Sequence, residues 1–148
     1  MRREPGLRER ALSMLARREH SRAELSRKLQ AHAASGDDLE ALLDELARRK
    51  LLSDERYAES RVRQLSRKYG VERVAHELRA GGIGKELASA ASKTLRGTET
   101  ERARNVWRRK FRAAPKTREE RAKQMRFLQS RGFSFDAIRS AIGGGEED

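Results

Sequence analysis

Apolar residues recur every three or four positions through almost the whole chain, the period of a helix face rather than of a strand. Leu7, Ala11, Met14 and Leu15 form one such stripe, Ala58, Val62, Leu65 and Tyr69 a second, and Val74, Ala75 and Leu78 a shorter third. No stretch alternates cleanly between apolar and polar residues, so strands are not expected. Helix punctuation is frequent. Ser21 with Glu24, Asp37 with Glu40, Thr98 with Glu101 and Thr117 with Glu120 have the spacing of a capping box, in which the first side chain accepts a free backbone N–H and the glutamate reaches back to another. Ser53-Asp54 and Ser134 are further N-cap candidates. Both prolines, Pro5 and Pro115, stand where a helix begins or a linker lies. These marks predict an all-α chain with helices over 6–19, 21–34, 37–50, 53–69, 71–80, 84–96, 98–113, 117–130 and 134–142.

Taken three at a time, the helices repeat. Tyr57 matches Trp107, Leu78 matches Leu128, Gly82 matches Gly132, Ile83 matches Phe133 and Ala91 matches Ala141, at an offset of about fifty residues. Gly70, Gly82 and Gly132 follow helical segments, where a left-handed C-terminal residue suits glycine. The first unit fits less tightly because Ala31 to Gly36 lengthens its middle connection. The expectation is three tandem three-helix repeats, 1–52, 53–97 and 98–142, forming an elongated, curved array, each repeat too small to bury its own face without a neighbour. A flexible acidic tail is expected over 143–148.

Composition narrows the function. Charged residues reach 39% against 36% apolar, which suits thin helical layers with much surface. The net charge is +12. Each third of the chain carries an excess of Lys and Arg, so no detachable basic tail accounts for it. Such a field attracts a polyanion: nucleic acid, an anionic membrane or an acidic protein surface. The absence of cysteine excludes disulfides and thiolate metal sites. No apolar run approaches a membrane span, and Met1 to Gly6 leads into no apolar stretch, so a cytoplasmic protein without a secretory signal is expected.

Catalytic constellations are not found. His20, His32 and His76 lie far apart and read as solvated surface residues. The acidic pairs Asp37-Asp38, Glu119-Glu120 and Glu146-Glu147 fall at helix starts or in the tail, where the helix dipole or solvation explains them. Gly81-Gly82-Ile83-Gly84-Lys85 lacks the spacing, the following Ser or Thr and the preceding strand of a phosphate loop, and reads as a turn between helices. Trp107, Phe111, Phe127 and Phe133 read as core of the last unit. No enzyme, cofactor or metal is expected. The basic faces say more. Arg56, Arg63 and Arg67 recur at helical spacing opposite the Ala58–Val62–Leu65 stripe, and Arg104, Arg108 and Arg112, joined by Arg109, do the same opposite Ala103, Val106, Trp107 and Phe111. Guanidinium groups along one face can fork onto phosphates or carboxylates. Acids are absent over 102–112, so that helix is the stronger candidate for binding.

Four motifs in order then resemble the RecX family of recombination regulators over nearly the whole chain. Ser21-Arg22-Ala23-Glu24-Leu25 with Lys28-Leu29 is similar to that family's first motif. Lys50 to Ala58, through Asp54 and Tyr57, is similar to the start of its second unit, and the likeness continues through Arg61, Arg67 to Gly70, Leu78 and Gly82-Ile83. Phe127-Leu128, Arg131-Gly132-Phe133 and Ile138 are similar to its closing motif. Tyr69-Gly70-Val71 departs from a frequent Lys-Gly-Pro, which removes a helix-starting proline at the unit boundary. Asp54, Tyr57 and Ala58 read as cap and packing residues. The resemblance implies tandem three-helix repeats that bind RecA, the ATP-dependent recombinase polymerised on single-stranded DNA, lodging in the groove of the filament. It implies lowered ATPase, strand-exchange and co-protease activities and a role in DNA repair, recombination and the SOS response. A monomer that also touches DNA weakly through its basic faces is expected. A stand-alone helical DNA-binding protein or transcription regulator is the second reading.

Overall fold

The computed structural model describes residues 4–143. Those residues form nine α-helices and no strand: α1 (Leu7–Arg17), α2 (Arg22–Gln30), α3 (Leu39–Arg48), α4 (Asp54–Leu65), α5 (Val71–Ala80), α6 (Lys85–Lys93), α7 (Glu99–Lys110), α8 (Arg118–Ser130) and α9 (Phe135–Ala141). A single 3₁₀ turn, Arg96–Thr98, leads into α7. The acidic tail expected at 143–148 lies, from residue 144 on, outside the described residues.

Local chemistry sets most of the helix starts. Ser21, Ser53, Thr117 and Ser134 each accept the backbone N–H three residues on, as N-caps do. Two starts differ from expectation. Asp38, not Asp37, caps α3, while Asp37 turns back to accept the N–H of Ala34. Thr98 caps nothing, because the 3₁₀ turn feeds straight into α7 and its hydroxyl donates to the Leu95 carbonyl.

The buried residues fall into three apolar clusters, one per group of three helices. Ala11, Leu25, Leu29, Leu43, Leu46 and Leu52 fill the first. Tyr57, Ala58, Val62, Val74, Leu78 and Ile83 lead the second, and Ala103, Val106, Leu128, Phe133, Ile138 and Ile142 the third. The fifty-residue correspondence is carried by packing. Leu78 and Leu128 are both fully buried, Ile83 and Phe133 nearly so, and Gly82 and Gly132 share a positive φ of 95° and 88°.

The units meet through backbone and carboxylate contacts, not through a shared apolar cluster, and the device is used twice. Asp54, the first residue of α4, accepts the N–H of Arg22, the first residue of α2, at 2.8 Å. Glu99, the first residue of α7, accepts the N–H of Val71, the first residue of α5, at 3.1 Å. Each carboxylate thus satisfies a free N–H at the positive end of the preceding unit's middle helix. Beside each clasp the glycine turn of one unit presses on the preceding unit: a Cβ at Gly82 would stand 2.5 Å from the Ala23 Cβ, and one at Gly132 would stand 2.6 Å from the Arg73 nitrogen. Gly70 is not the left-handed residue that the sequence suggests. Its φ is −82°, it caps α5, and its N–H donates to the Arg131 carbonyl. It is glycine because a Cβ there would lie 2.6 Å from the Phe133 Cα.

Candidate functional site

The arginines singled out in the sequence divide by what their guanidinium groups touch. On α4, Arg56 is half-buried and engaged: its Nε donates to Glu19 at 2.8 Å and its Nη2 to the Lys50 carbonyl at 2.8 Å. Arg63 is exposed with no acceptor among the described residues, but Glu55 and Glu59 stand beside it on the wall of a groove of about 1150 Å³ between α3, α4 and α6. Arg67 is exposed as well, and it does not continue the row, because α4 stops at Leu65. The chain turns over 66–68, and Tyr69 and Gly70 reach the third unit: the Tyr69 ring has the Arg73 guanidinium of α5 at 4.5 Å and that of Arg131 at 5.8 Å from its centroid. The α4 face therefore mixes charges and is broken at its end.

On α7 the row is also shorter than expected. The helix ends at Lys110, with Phe111 extended and its ring edge-on to Phe127 at 5.5 Å between centroids. Pro115 disfavours helical geometry at Ala114, so the stretch 111–117 cannot carry the helix on, and Arg112 stands in a loop. Arg109 donates to the Arg67 carbonyl at 2.6 Å, and Arg104 to the Ser140 carbonyl at 3.0 Å near the end of α9. Arg108 and Arg112 are exposed and bind nothing within the described residues.

Arg102 belongs with Arg109, two turns away on the same side of α7. Its guanidinium donates to the carbonyls of Ser66 (3.2 Å), Tyr69 (2.8 Å) and Leu95 (2.9 Å), which lie at and just past the C-terminal ends of α4 and α6. Cations suit the negative ends of helices. Burial lowers the Arg102 pKa from its ordinary value, and the nearby Glu99 charge opposes that shift. Arg102 and Glu99 therefore fasten the third unit to the second and fix the direction in which α7 presents Arg108. Sequence spacing alone could not separate these structural arginines from the free ones, because their acceptors are carbonyls in another unit.

The charge balance of the third unit is the signal that the row of arginines understated. Residues 98–142 hold thirteen Lys and Arg against five Asp and Glu. Every ion pair among the described residues lies within the first two units or between them. Glu119 and Lys123 have the spacing of a helical ion pair yet form none, and Glu120 turns back to accept the Lys116 N–H at 2.7 Å. Arg118, Lys123 and Arg126 on α8 join Arg108 and Arg112 as exposed cations. Such a surface attracts phosphate chains, since no carboxylate among the described residues forms an ion pair with it.

Two other sequence expectations change. His20 is buried, not solvated: one ring nitrogen, Nδ1, lies 3.1 Å from the Arg18 carbonyl and the other, Nε2, 3.2 Å from Lys28 Nζ. Burial lowers its pKa, and the charges of Arg18 and Lys28 add to that effect. Of the four aromatic residues assigned to the last core, Phe133 is buried in it, Trp107 and Phe127 are half-covered and pack against it, and Phe111 is half-covered with its ring edge-on to Phe127; Trp107 also donates to Gln124 at 2.7 Å. Among the described residues, no helix is long and apolar enough to cross a membrane.

Family models described as the first, second and third three-helix domains of RecX match residues 8–46, 53–91 and 98–142. The chain belongs to the RecX family. The regulatory protein RecX of Herbaspirillum seropedicae is 50% identical over 136 residues, covering 92% of this chain and 88% of that one. Its counterpart in Leptothrix cholodnii is 47% identical, covering 92% and 87%. The crystal structure of RecX from Lactobacillus salivarius superposes with a TM-score of 0.80 at 23% identity over 93% of both chains, which shows a common fold. RecX proteins are named as regulators, not as enzymes.

Proposed function

We propose that this RecX family member binds RecA polymerised on single-stranded DNA and restrains the filament, lowering its ATPase, strand-exchange and co-protease activities. The observation that carries the reading is the third unit: a surface of arginines and lysines without ion pairs among the described residues, on a chain whose relatives are regulatory proteins. In the filament the single strand and the recombinase together present extended negative charge, which suits a binder of this kind. Arg108 and Arg112 are the leading contacts, with Arg104 and Arg109 lending charge from positions already tied to carbonyls. Arg63 and Arg67 extend the surface onto the second unit, and Arg56 contributes least because it is paired with Glu19. Binding requires no chemistry of its own, and the protein acts as a cytoplasmic monomer.

The test is co-sedimentation with RecA filaments assembled on poly(dT). Wild-type protein is expected in the pellet only when filament is present. Arg108→Glu with Arg112→Glu should remain in the supernatant while keeping its helical circular dichroism. Equal pelleting of wild type and variant would show that the third unit is not the contact face.

A further inference from the structure

The third unit also carries the most exposed large apolar side chain among the described residues. Phe135, the first residue of α9, is 61% exposed, whereas Phe133 two positions earlier fills the core at 4%. A single apolar residue on a surface is ordinary. The setting of Phe135 is what gives it meaning. One turn along α9, the Arg139 guanidinium lies 5.7 Å from the ring centroid, and Arg139 has no carboxylate partner among the described residues. Arg104 joins the same helix at its far end, through the Ser140 carbonyl. The ring therefore has one cation, Arg139, against it and a second at the other end of α9, with the exposed Asp136 beside it.

That combination selects its ligand. Cations without carboxylate partners attract phosphate, and the open ring face offers stacking to a flat, polarisable group. A duplex stacks its base faces on one another, and reaching them costs unstacking, so the ring is best suited to unpaired bases. An apolar protein helix would cover the ring but would leave the Arg139 guanidinium buried without an acceptor. We propose that Phe135 is a stacking platform for an unpaired base of single-stranded nucleic acid, with Arg139 and Arg104 beside the flanking phosphates. The proposal deepens the filament reading and rests on it, placing the single strand rather than the recombinase against α9.

The experiment is a set of fluorescence anisotropy titrations at one salt concentration, with a labelled dT oligonucleotide, a strand of equal length built of abasic sites, and a duplex. Phe135→Ala should weaken binding to the dT strand about fivefold or more and leave the abasic strand and the duplex unchanged. Phe135→Trp should restore dT binding, and Arg139→Gln should weaken all three. Thermal melts of each variant check the fold. Wild-type affinity of Phe135→Ala for dT, or an equal loss on the abasic strand, would overturn the platform. So would failure of the wild type to bind dT at all. Inhibition of RecA ATPase, measured alongside, separates the two readings: inhibition that survives with no effect of Phe135→Ala on dT sinks the platform and leaves the filament reading standing.

Discussion

Replacing Glu99 by alanine tests the clasp that orients the third unit. The carboxylate is 9% exposed, and one of its oxygens accepts the N–H of Val71 at 3.1 Å and that of Ser134 at 3.3 Å. A hydrogen bond to a charged group contributes about 1.5–3 kcal/mol, and the longer second bond belongs at the low end. Removing both leaves two donors without their acceptor, for a loss of about 3 kcal/mol. In a chain of this size, that lowers the melting temperature by roughly 6–12 °C. Asp54→Ala, which loses one bond of 2.8 Å, should cost about half as much. Val71→Pro separates the terms, because proline is welcome at the first position of a helix but has no N–H to give. It removes the shorter bond and keeps the one from Ser134. Melting followed by circular dichroism gives the energies, and hydrogen exchange reports the amides. Val71 and Ser134 should lose protection in Glu99→Ala. A melting temperature within a degree of wild type, or unchanged exchange at both amides, would refute the clasp.

Gly132→Ala should destabilise by at least ~2 kcal/mol, because φ is +88° and the new methyl meets the Arg73 backbone; a melt within 2 °C of wild type contradicts this. Stability should fall with pH in two stages. Burial holds the folded pKa of His20 below 6.5, so the unfolded chain takes up a proton that the folded chain refuses, and stability is lost as pH falls through about 6.5. His20→Gln should flatten that stage in melts run from about pH 7.5 to about pH 5.5. The second stage belongs to Glu24. Burial raises its pKa, but the Arg18 hydrogen bond and the charges of Arg18, His20 and Lys28 prevail and hold it at about 2. Its contribution is lost below about pH 4.5, and Glu24→Gln should remove that slope. Finally, Arg102→Gln should lower the melting temperature, whereas Arg108→Glu with Arg112→Glu should leave it unchanged and weaken binding; the reverse pattern would mean that the two roles are misassigned.

The fold was legible where local rules decide it. Serine and threonine caps, the glycines at 82 and 132, and the matched Leu78 and Leu128 are all set by backbone geometry or by burial within one unit. What sequence spacing missed depends on contacts between elements and on where the helices end. Gly70 is required by the approach of Phe133, not by its own dihedral angle. His20 is buried by packing that its polar neighbours in sequence conceal. The arginine rows appear longer in sequence than they are, because helical spacing continues past Leu65 and Lys110 while the chain does not. The candidate site was legible as charge and not as geometry. The excess of cations in residues 98–142 can be counted, but which guanidinium groups are free depends on carbonyls at the ends of α4, α6 and α9.

The central claim is that this chain restrains the RecA filament through its third unit. The DNA-dependent ATPase of purified RecA on poly(dT), titrated with the protein, tests it most directly. Substoichiometric wild-type protein is expected to suppress the ATPase, and Arg108→Glu with Arg112→Glu should require a large excess for the same effect. An ATPase rate unchanged with the wild-type protein in excess over RecA would contradict the account.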